Sequence, residues 1–322
     1  MKSKFLIGLI SLGLALALMG CANKEKETGE VKNNKSVQSQ NIPTKSEKNN
    51  DRTVQATEKD EKKQGLNKNK QANENEVKTA KKEEKVDTSK FNMKDREWFF
   101  IPNDKGIQPE EPKEVLSIIK NKDAYYVGKS DEKALYLTFD EGYENGYTPK
   151  ILDTLKKNKV KAMFFVTEPY IKQNKDLVKR MVQEGHLVGN HSKSHLSMAK
   201  LAKTNKEKFN NEILSTEKTF EQITGRKMDK FFRPPMGAYN ELSLYNTQKL
   251  GYKTIFWSFA YKDYEPEKQP SNEYAKNLIL KRTHNGGIML LHAISKTNTE
   301  ILESLINEWK NRGYTFKTLD TI

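Results

Sequence analysis

From Lys133 onward the chain alternates short apolar runs with longer stretches whose apolar residues return every third or fourth position. The run ALYLTF at 134–139 predicts a β-strand, and 147–157, with Ile151, Leu152 and Leu155 on one face, predicts a helix. A buried strand is expected at 162–166, a helix over 169–184 that stops at Gly185, and a short strand at 187–189. Phe209, Ile213, Thr216, Phe220 and Ile223 follow a helical spacing, closed by Gly225. Strands at 231–232, 254–258, 288–291 and 314–317 then alternate with helices at 241–250, 272–281 and around Ile301–Trp309.

Repeated strand–helix units predict an α/β protein with a parallel sheet and helices outside. About seven strands in series predict a distorted (β/α) barrel that does not fully close, with active groups at the C-terminal strand ends. Asp140 and Glu141 follow the first strand, Asn190 and His191 the third, and Arg233 the fourth. Trp257 ends the fifth and His292 follows the sixth. These groups converge on one rim.

The chain upstream changes character. Residues 1–21 combine Lys2 and Lys4 with an apolar run too short for a comfortable membrane span, as in a secretory signal peptide. The run ends on Cys21, the only cysteine, in a setting that resembles a bacterial lipobox. A lipid-anchored, extracytoplasmic protein is expected. Residues 22–90 contain no Phe, Trp or Tyr and are rich in Lys, Glu and Asn, so they predict a disordered linker. An N-terminal extension at 91–130 is expected to pack on a catalytic domain at 131–322.

The net charge of the chain is +14, of which residues 91–322 carry +8. Positive charge invites a nucleic-acid reading. Export and the spread of the basic residues along helical segments argue against it, and a polyanionic cell wall is the simpler partner. A monomer is expected.

His191-Ser-Lys-Ser-His195, with Asp140-Glu141 on the same rim, carries the chemistry. Two histidines four apart on a helical turn suit one metal ion, and a carboxylate from a neighbouring strand end would complete a catalytic site with open positions. His186 and His284 are expected to be packing and loop residues, and Asn190 to support a neighbouring site residue. The segment Tyr143–Tyr147 directly follows the first strand, which puts Tyr143 on the rim.

Thr138-Phe-Asp-Glu-Gly142, His191-Ser-Lys-Ser-His195, Arg233-Pro-Pro-Met-Gly237 and Leu290-Leu-His292 occur in the order of the motifs of the polysaccharide deacetylases with the NodB-homology fold. The chain resembles that family over 91–322. Thr138–Thr148, Phe256-Trp257-Ser258 and Leu290–Ser295 look like its muramic acid de-N-acetylases, which prepare the δ-lactam of spore cortex peptidoglycan. The resemblance implies a hydrolase of N-acetyl groups. It implies Asp140 as general base, Arg233 as its partner, His292 as general acid and Asp263 as the carboxylate that tunes it. Glu141, His191 and His195 match metal ligands, with zinc the first choice of divalent ion. The backbone N–H of Met236 matches an oxyanion donor, and Trp257 and Leu290 match walls around the acetyl methyl. One departure stands out: the family has Asp where this chain has Glu141. The implied partner is a peptidoglycan glycan strand. N-acetylglucosamine in peptidoglycan or a chitin-like polymer is the alternative substrate, and a silent wall-binding lipoprotein the alternative class. The full set of Asp140, Arg233 and His292 argues against silence.

Overall fold

The computed structural model describes residues 87–111 and 113–322. The signal segment, Cys21 and all of the expected linker except Asp87–Lys90 lie outside the described residues. Asp87 caps a short 3-10 turn over Thr88–Lys90.

In chain order the elements are β1 (Arg96–Glu97), α1 (Lys113–Ile119), β2 (Ala124–Tyr125), β3 (Ala134–Glu141), α2 (Thr148–Lys157), β4 (Met163–Val166), α3 (Glu168–Gln173) and α4 (Lys175–Gln183). They continue with β5 (Leu187–Asn190), α5 (Met198–Thr204), α6 (Lys206–Thr224), β6 (Phe231–Phe232), β7 (Ala238–Tyr239) and α7 (Glu241–Lys249). The last are β8 (Lys253–Ile255), α8 (Asn272–Arg282), β9 (Gly287–His292), α9 (Lys296–Asn311) and β10 (Thr315–Phe316).

One parallel sheet runs β10-β3-β4-β5-β6-β8-β2, with β9 also paired to β3. Beyond β8 the chain reaches β9 through a single parallel bridge, Phe259 to Met289. The ring of strands is therefore a distorted barrel joined at that seam by one bridge.

Every residue of β3 is buried, as both faces of a covered parallel strand require. Its odd positions, Leu135, Leu137 and Phe139, pack outward with Ile151, Leu152, Leu155 and Trp309 of the helices. Its even positions, Ala134 and Tyr136, face Met163, Phe165, Ile255 and Ile288 inside the barrel. Each large apolar side chain buried this way stabilises the fold by roughly 1.5–3 kcal/mol. The alternation carries Asp140 to the inner face and Glu141 to the helix side.

The helix over 169–184 expected as one piece is two. It breaks at Asn174 (φ −122, ψ 47), whose side-chain amide donates to the Tyr170 carbonyl. α6 begins where the Asn205 side chain accepts from Lys208 N, and ends at Gly225 in the left-handed region (φ 70).

The extension contributes more than a cover. β2 pairs in register with β8, so it is itself a strand of the sheet. β1 pairs antiparallel with β7. Trp98 stacks on Phe256 with ring centroids 4.4 Å apart, and its indole N–H donates to the Trp257 carbonyl at 2.8 Å.

Candidate active site

A cavity of about 770 Å³ opens at the C-terminal strand ends. Asp140 and His292 enter it from neighbouring strands, as direct register partners of β3 and β9. His191, Met236, Trp257 and Leu290 also line it, as does Tyr143. Arg233 and Asp263 stand behind these groups and hold them.

Arg233 is fully buried. Its Nη1 donates to Asp140 Oδ1 at 2.7 Å and to Thr138 Oγ1 at 2.9 Å. Nε and Nη2 each reach a carbonyl, of Ile255 and Phe256, at 3.3 Å. The guanidinium also lies 4.2 Å over the Phe165 ring. Burial pushes the Asp140 carboxyl up, but the charge and hydrogen bond of Arg233 outweigh it and hold the group below the ordinary carboxylate range. Asp140 is thus an ionised base in a water-poor place.

His292 has the opposite bias. Its Nδ1 sits 2.7 Å from Asp263 Oδ1, and its backbone N–H donates to Asp263 Oδ2 at 2.9 Å. Asn298 Nδ2 donates to the same Oδ2 at 2.6 Å. Burial opposes charge on the imidazole, yet Asp263, and behind it Asp140, lift its pKa above the ordinary histidine value. The cavity is therefore flanked by a carboxylate that favours losing its proton and an imidazole that favours keeping one.

His191 is different again. Burial pushes it down to about 4, so it is neutral. Its Nδ1 donates to the Arg233 carbonyl at 2.8 Å, which leaves the Nε2 lone pair for the cavity, 3.6 Å from Asp140 Oδ2. His195 follows at a ring-centroid distance of 5.0 Å. The two are not on a helical turn, as their spacing suggested. They flank a loop with left-handed backbone at Ser192 (φ 70) and His195 (φ 54). Asn190 supports that loop by accepting from Ser192 N at 2.9 Å.

Met236 adopts φ 58, and Gly237 follows at φ 64. A Cβ at Gly237 would meet the Trp257 ring at 2.8 Å and Trp98 Cβ at 3.0 Å, so only glycine fits there. This turn presents the Met236 backbone to the cavity wall.

A model of the polysaccharide deacetylase family matches residues 127–255. The peptidoglycan-N-acetylmuramic acid deacetylase PdaA of Bacillus subtilis is 42% identical over 225 residues, covering 70% of this chain and 84% of the relative. The chain belongs to the polysaccharide deacetylase family. The solved structure of Bacillus subtilis PdaA, a family 4 carbohydrate esterase, superposes with a TM-score of 0.68 at 40% identity, covering 71% of this chain and 97% of that one. A peptidoglycan-N-acetylglucosamine deacetylase of Bacillus cereus is 33% identical, covering 60% of this chain and 89% of the relative. This polysaccharide deacetylase is a carbohydrate de-N-acetylase, a hydrolase.

Family 4 deacetylases in general use a metal ion. Of the three residues expected to hold it, His191 and His195 stand together. His191 donates from Nδ1 to the Arg233 carbonyl, which leaves Nε2 as the acceptor nitrogen beside His195. Glu141 does not join them. Its place on the helix face of β3 turns it to Thr148 Oγ1, 3.3 Å from each carboxylate oxygen. Among the described residues no three His, Cys, Asp or Glu side chains form a group that could hold one ion. Burial, then the charge of Glu144, push the Glu141 carboxyl well above its ordinary value, which disfavours its anionic form.

That displacement has a thermodynamic sign. A carboxyl whose folded pKa is raised supports the fold below its unfolded pKa, and the support fades as pH rises toward the folded value. Glu141→Gln mimics the neutral form. Its thermal midpoint is expected above wild type at pH 8, with the difference vanishing below pH 4.5, the carboxyl's ordinary value. Its metal content should match wild type; loss of metal in the variant would make Glu141 a ligand after all.

Tyr264, Asn298 and Lys193 are among the residues around the cavity that escaped the sequence reading. Tyr264 is 51% exposed and stands edge-on to His292 at 5.6 Å. Asn298 holds Asp263. Lys193 lines the cavity from within the His191–His195 motif, where it reads as a mere spacer. His284 lies in a loop, as expected, and is buried and bonded to Ser258 Oγ at 2.8 Å. His186 accepts from Ala162 N at 3.1 Å.

Proposed function

We propose that this protein hydrolyses the N-acetyl group of N-acetylmuramic acid in peptidoglycan, for muramic δ-lactam formation in spore cortex. The observation that carries the reading is the pair at the cavity: Asp140 hydrogen-bonded to Arg233, and His292 hydrogen-bonded to Asp263, each at 2.7 Å. The 42% identity to a relative named for muramic acid deacetylation supports the choice of sugar.

Asp140 takes a proton from the attacking water, and Arg233 orients the carboxylate without leaving its own carbonyl contacts. The backbone N–H of Met236 steadies the oxyanion. His292 gives its proton to the departing amine while Asp263 balances the imidazolium. Trp257 and Leu290 wall the acetyl methyl, and Tyr143 bounds the sugar on the rim. A bound divalent ion, zinc by preference, would be held by His191 and His195 and would polarise the carbonyl.

The protein works outside the cytoplasm as a monomer, held to the membrane through a lipid on Cys21, with residues 22–90 as a tether to the catalytic domain. No helix among the described residues is long and apolar enough to cross a membrane. Its partner is the glycan strand and not nucleic acid.

Lactam closure needs a lactyl carboxyl free of stem peptide. Acetate release is therefore expected from strands stripped of peptide by an amidase, with little from intact peptidoglycan or chitin oligomers. Mass spectrometry of the digested strands identifies the sugar. Equal release from chitin oligomers and stripped strands would favour N-acetylglucosamine, the substrate named for the 33% identical relative.

A further inference from the structure

We propose that Lys193 is the specificity residue that receives the lactyl carboxylate, a reading that rests on the muramic acid assignment above. Among the described residues that line the cavity, Lys193 is the only lysine or arginine. The other permanent cation at the site, Arg233, is fully buried and committed to Asp140.

The loop is built to leave Lys193 for the cavity. Ser192 is fixed on one side: its N–H donates to Asn190 Oδ1 and its carbonyl accepts from Glu168 N at 3.2 Å. Ser194 is fixed on the other, where its N–H donates to Glu212 Oε2 at 2.7 Å. Ser192 Oγ also accepts from His195 N at 3.0 Å. With both neighbours bound to the scaffold, the side chain between them is directed by the backbone. Glu168 feels the charge of Lys193, but its carboxylate is already held by Lys172 and by Ser215 Oγ, the latter at 2.6 Å. Asp140, the carboxylate that lines the cavity, is held by Arg233.

A single flexible cation in a cavity walled by Trp257, Leu290, Tyr261, Tyr264 and Ile294 selects for an anionic group on the substrate. The acetamido group of muramic acid is on the ring carbon next to the one that carries the lactyl ether. A carboxylate there enters the same cavity as the scissile amide. Glucosamine has a hydroxyl at that position and offers no charge. A lactyl group still joined to a stem peptide is an amide, also without charge. One side chain thus separates the reactive sugar from both competitors.

The test compares wild type, Lys193→Met and Lys193→Arg on three substrates: peptide-stripped strands, the same strands with lactyl carboxyls methyl-esterified, and chitin oligomers. Loss of a charge-assisted contact should raise KM of Lys193→Met on stripped strands about tenfold, with kcat within about twofold. Lys193→Arg should restore most of the loss. Esterification should raise KM for wild type by a similar factor and leave Lys193→Met unchanged. Rates on chitin oligomers should not differ between the three proteins. Acetate release from stripped strands by wild type, with an unchanged KM in Lys193→Met or no sensitivity to esterification, would overturn the role of Lys193 alone. No release from stripped strands by wild type would overturn the muramic acid reading and this one with it.

Discussion

Asp140→Asn and His292→Ala should each lower kcat/KM on stripped strands by about 10²–10⁴-fold, the worth of one proton transfer. The pH dependence identifies the two groups separately. The proposed mechanism needs Asp140 ionised and His292 protonated. The acid limb of kcat/KM should fall below pH 3.8, the ordinary aspartate value, because the Asp140 pKa is lowered despite its burial. The alkaline limb should fall above pH 6.5, because the His292 pKa is raised. In His292→Ala the residual rate should no longer decline on the alkaline side. Near-wild-type turnover in either variant, or an alkaline limb that survives the loss of His292, removes that residue from the mechanism. The two differ in stability. Asp140→Asn strands a buried guanidinium, so its assays belong well below its lowered unfolding midpoint. His292→Ala leaves Asp263 with its bonds from His292 N and Asn298.

Arg233→Met should cost about 3–5 kcal/mol of folding stability, since it leaves Asp140 buried without its counter-charge. Four polar contacts disappear together, to Asp140, Thr138 and the carbonyls of Ile255 and Phe256. Asp140 then responds by holding its proton more tightly, because burial is no longer opposed by Arg233. The acid limb of any remaining activity should move upward. Arg233→Lys keeps the charge but cannot span the same contacts from a single ammonium, so it should recover part of the stability and little of the rate. Urea unfolding with both variants decides this. A loss below about 1 kcal/mol for Arg233→Met would mean that the pair contributes no more than an exposed one.

Much of this architecture was legible in the sequence because it depends on period. The strand at 134–139 and the spacing of Phe209, Ile213, Thr216, Phe220 and Ile223 gave β3 and α6 to within a few residues. Elements without a period were not legible. β1, β2 and β7 are two residues each, and their pairing depends on tertiary contact. The same limit explains the histidine loop. A spacing of four fits a helix, but Ser192 and Ser194 are bound to Asn190 and Glu212, and those anchors impose a left-handed turn. Glu141 is the clearest lesson. Its neighbour in the motif faces the cavity, and strand alternation alone sends the next residue to the opposite face. The family motif drew it to the metal; the pleat takes it to Thr148.

The register of β3 against β9 also determines when the enzyme can exist. Asp140 and His292 are opposite each other in that ladder, although the chain between them includes most of the domain. Contacts so distant in sequence make folding slow, because the intervening loop must be ordered before the pairing rewards it. A chain still being synthesised can complete β3, α2 and β4 early, yet it does not hold Asp140 and His292 together. Those meet only when β9 enters the ring, and Asn298 of α9 then fixes the carboxylate behind the imidazole. If Asp140 and His292 act together as proposed, nascent and C-terminally clipped forms should lack deacetylase activity. The appearance of activity during refolding should report the arrival of β9 beside β3.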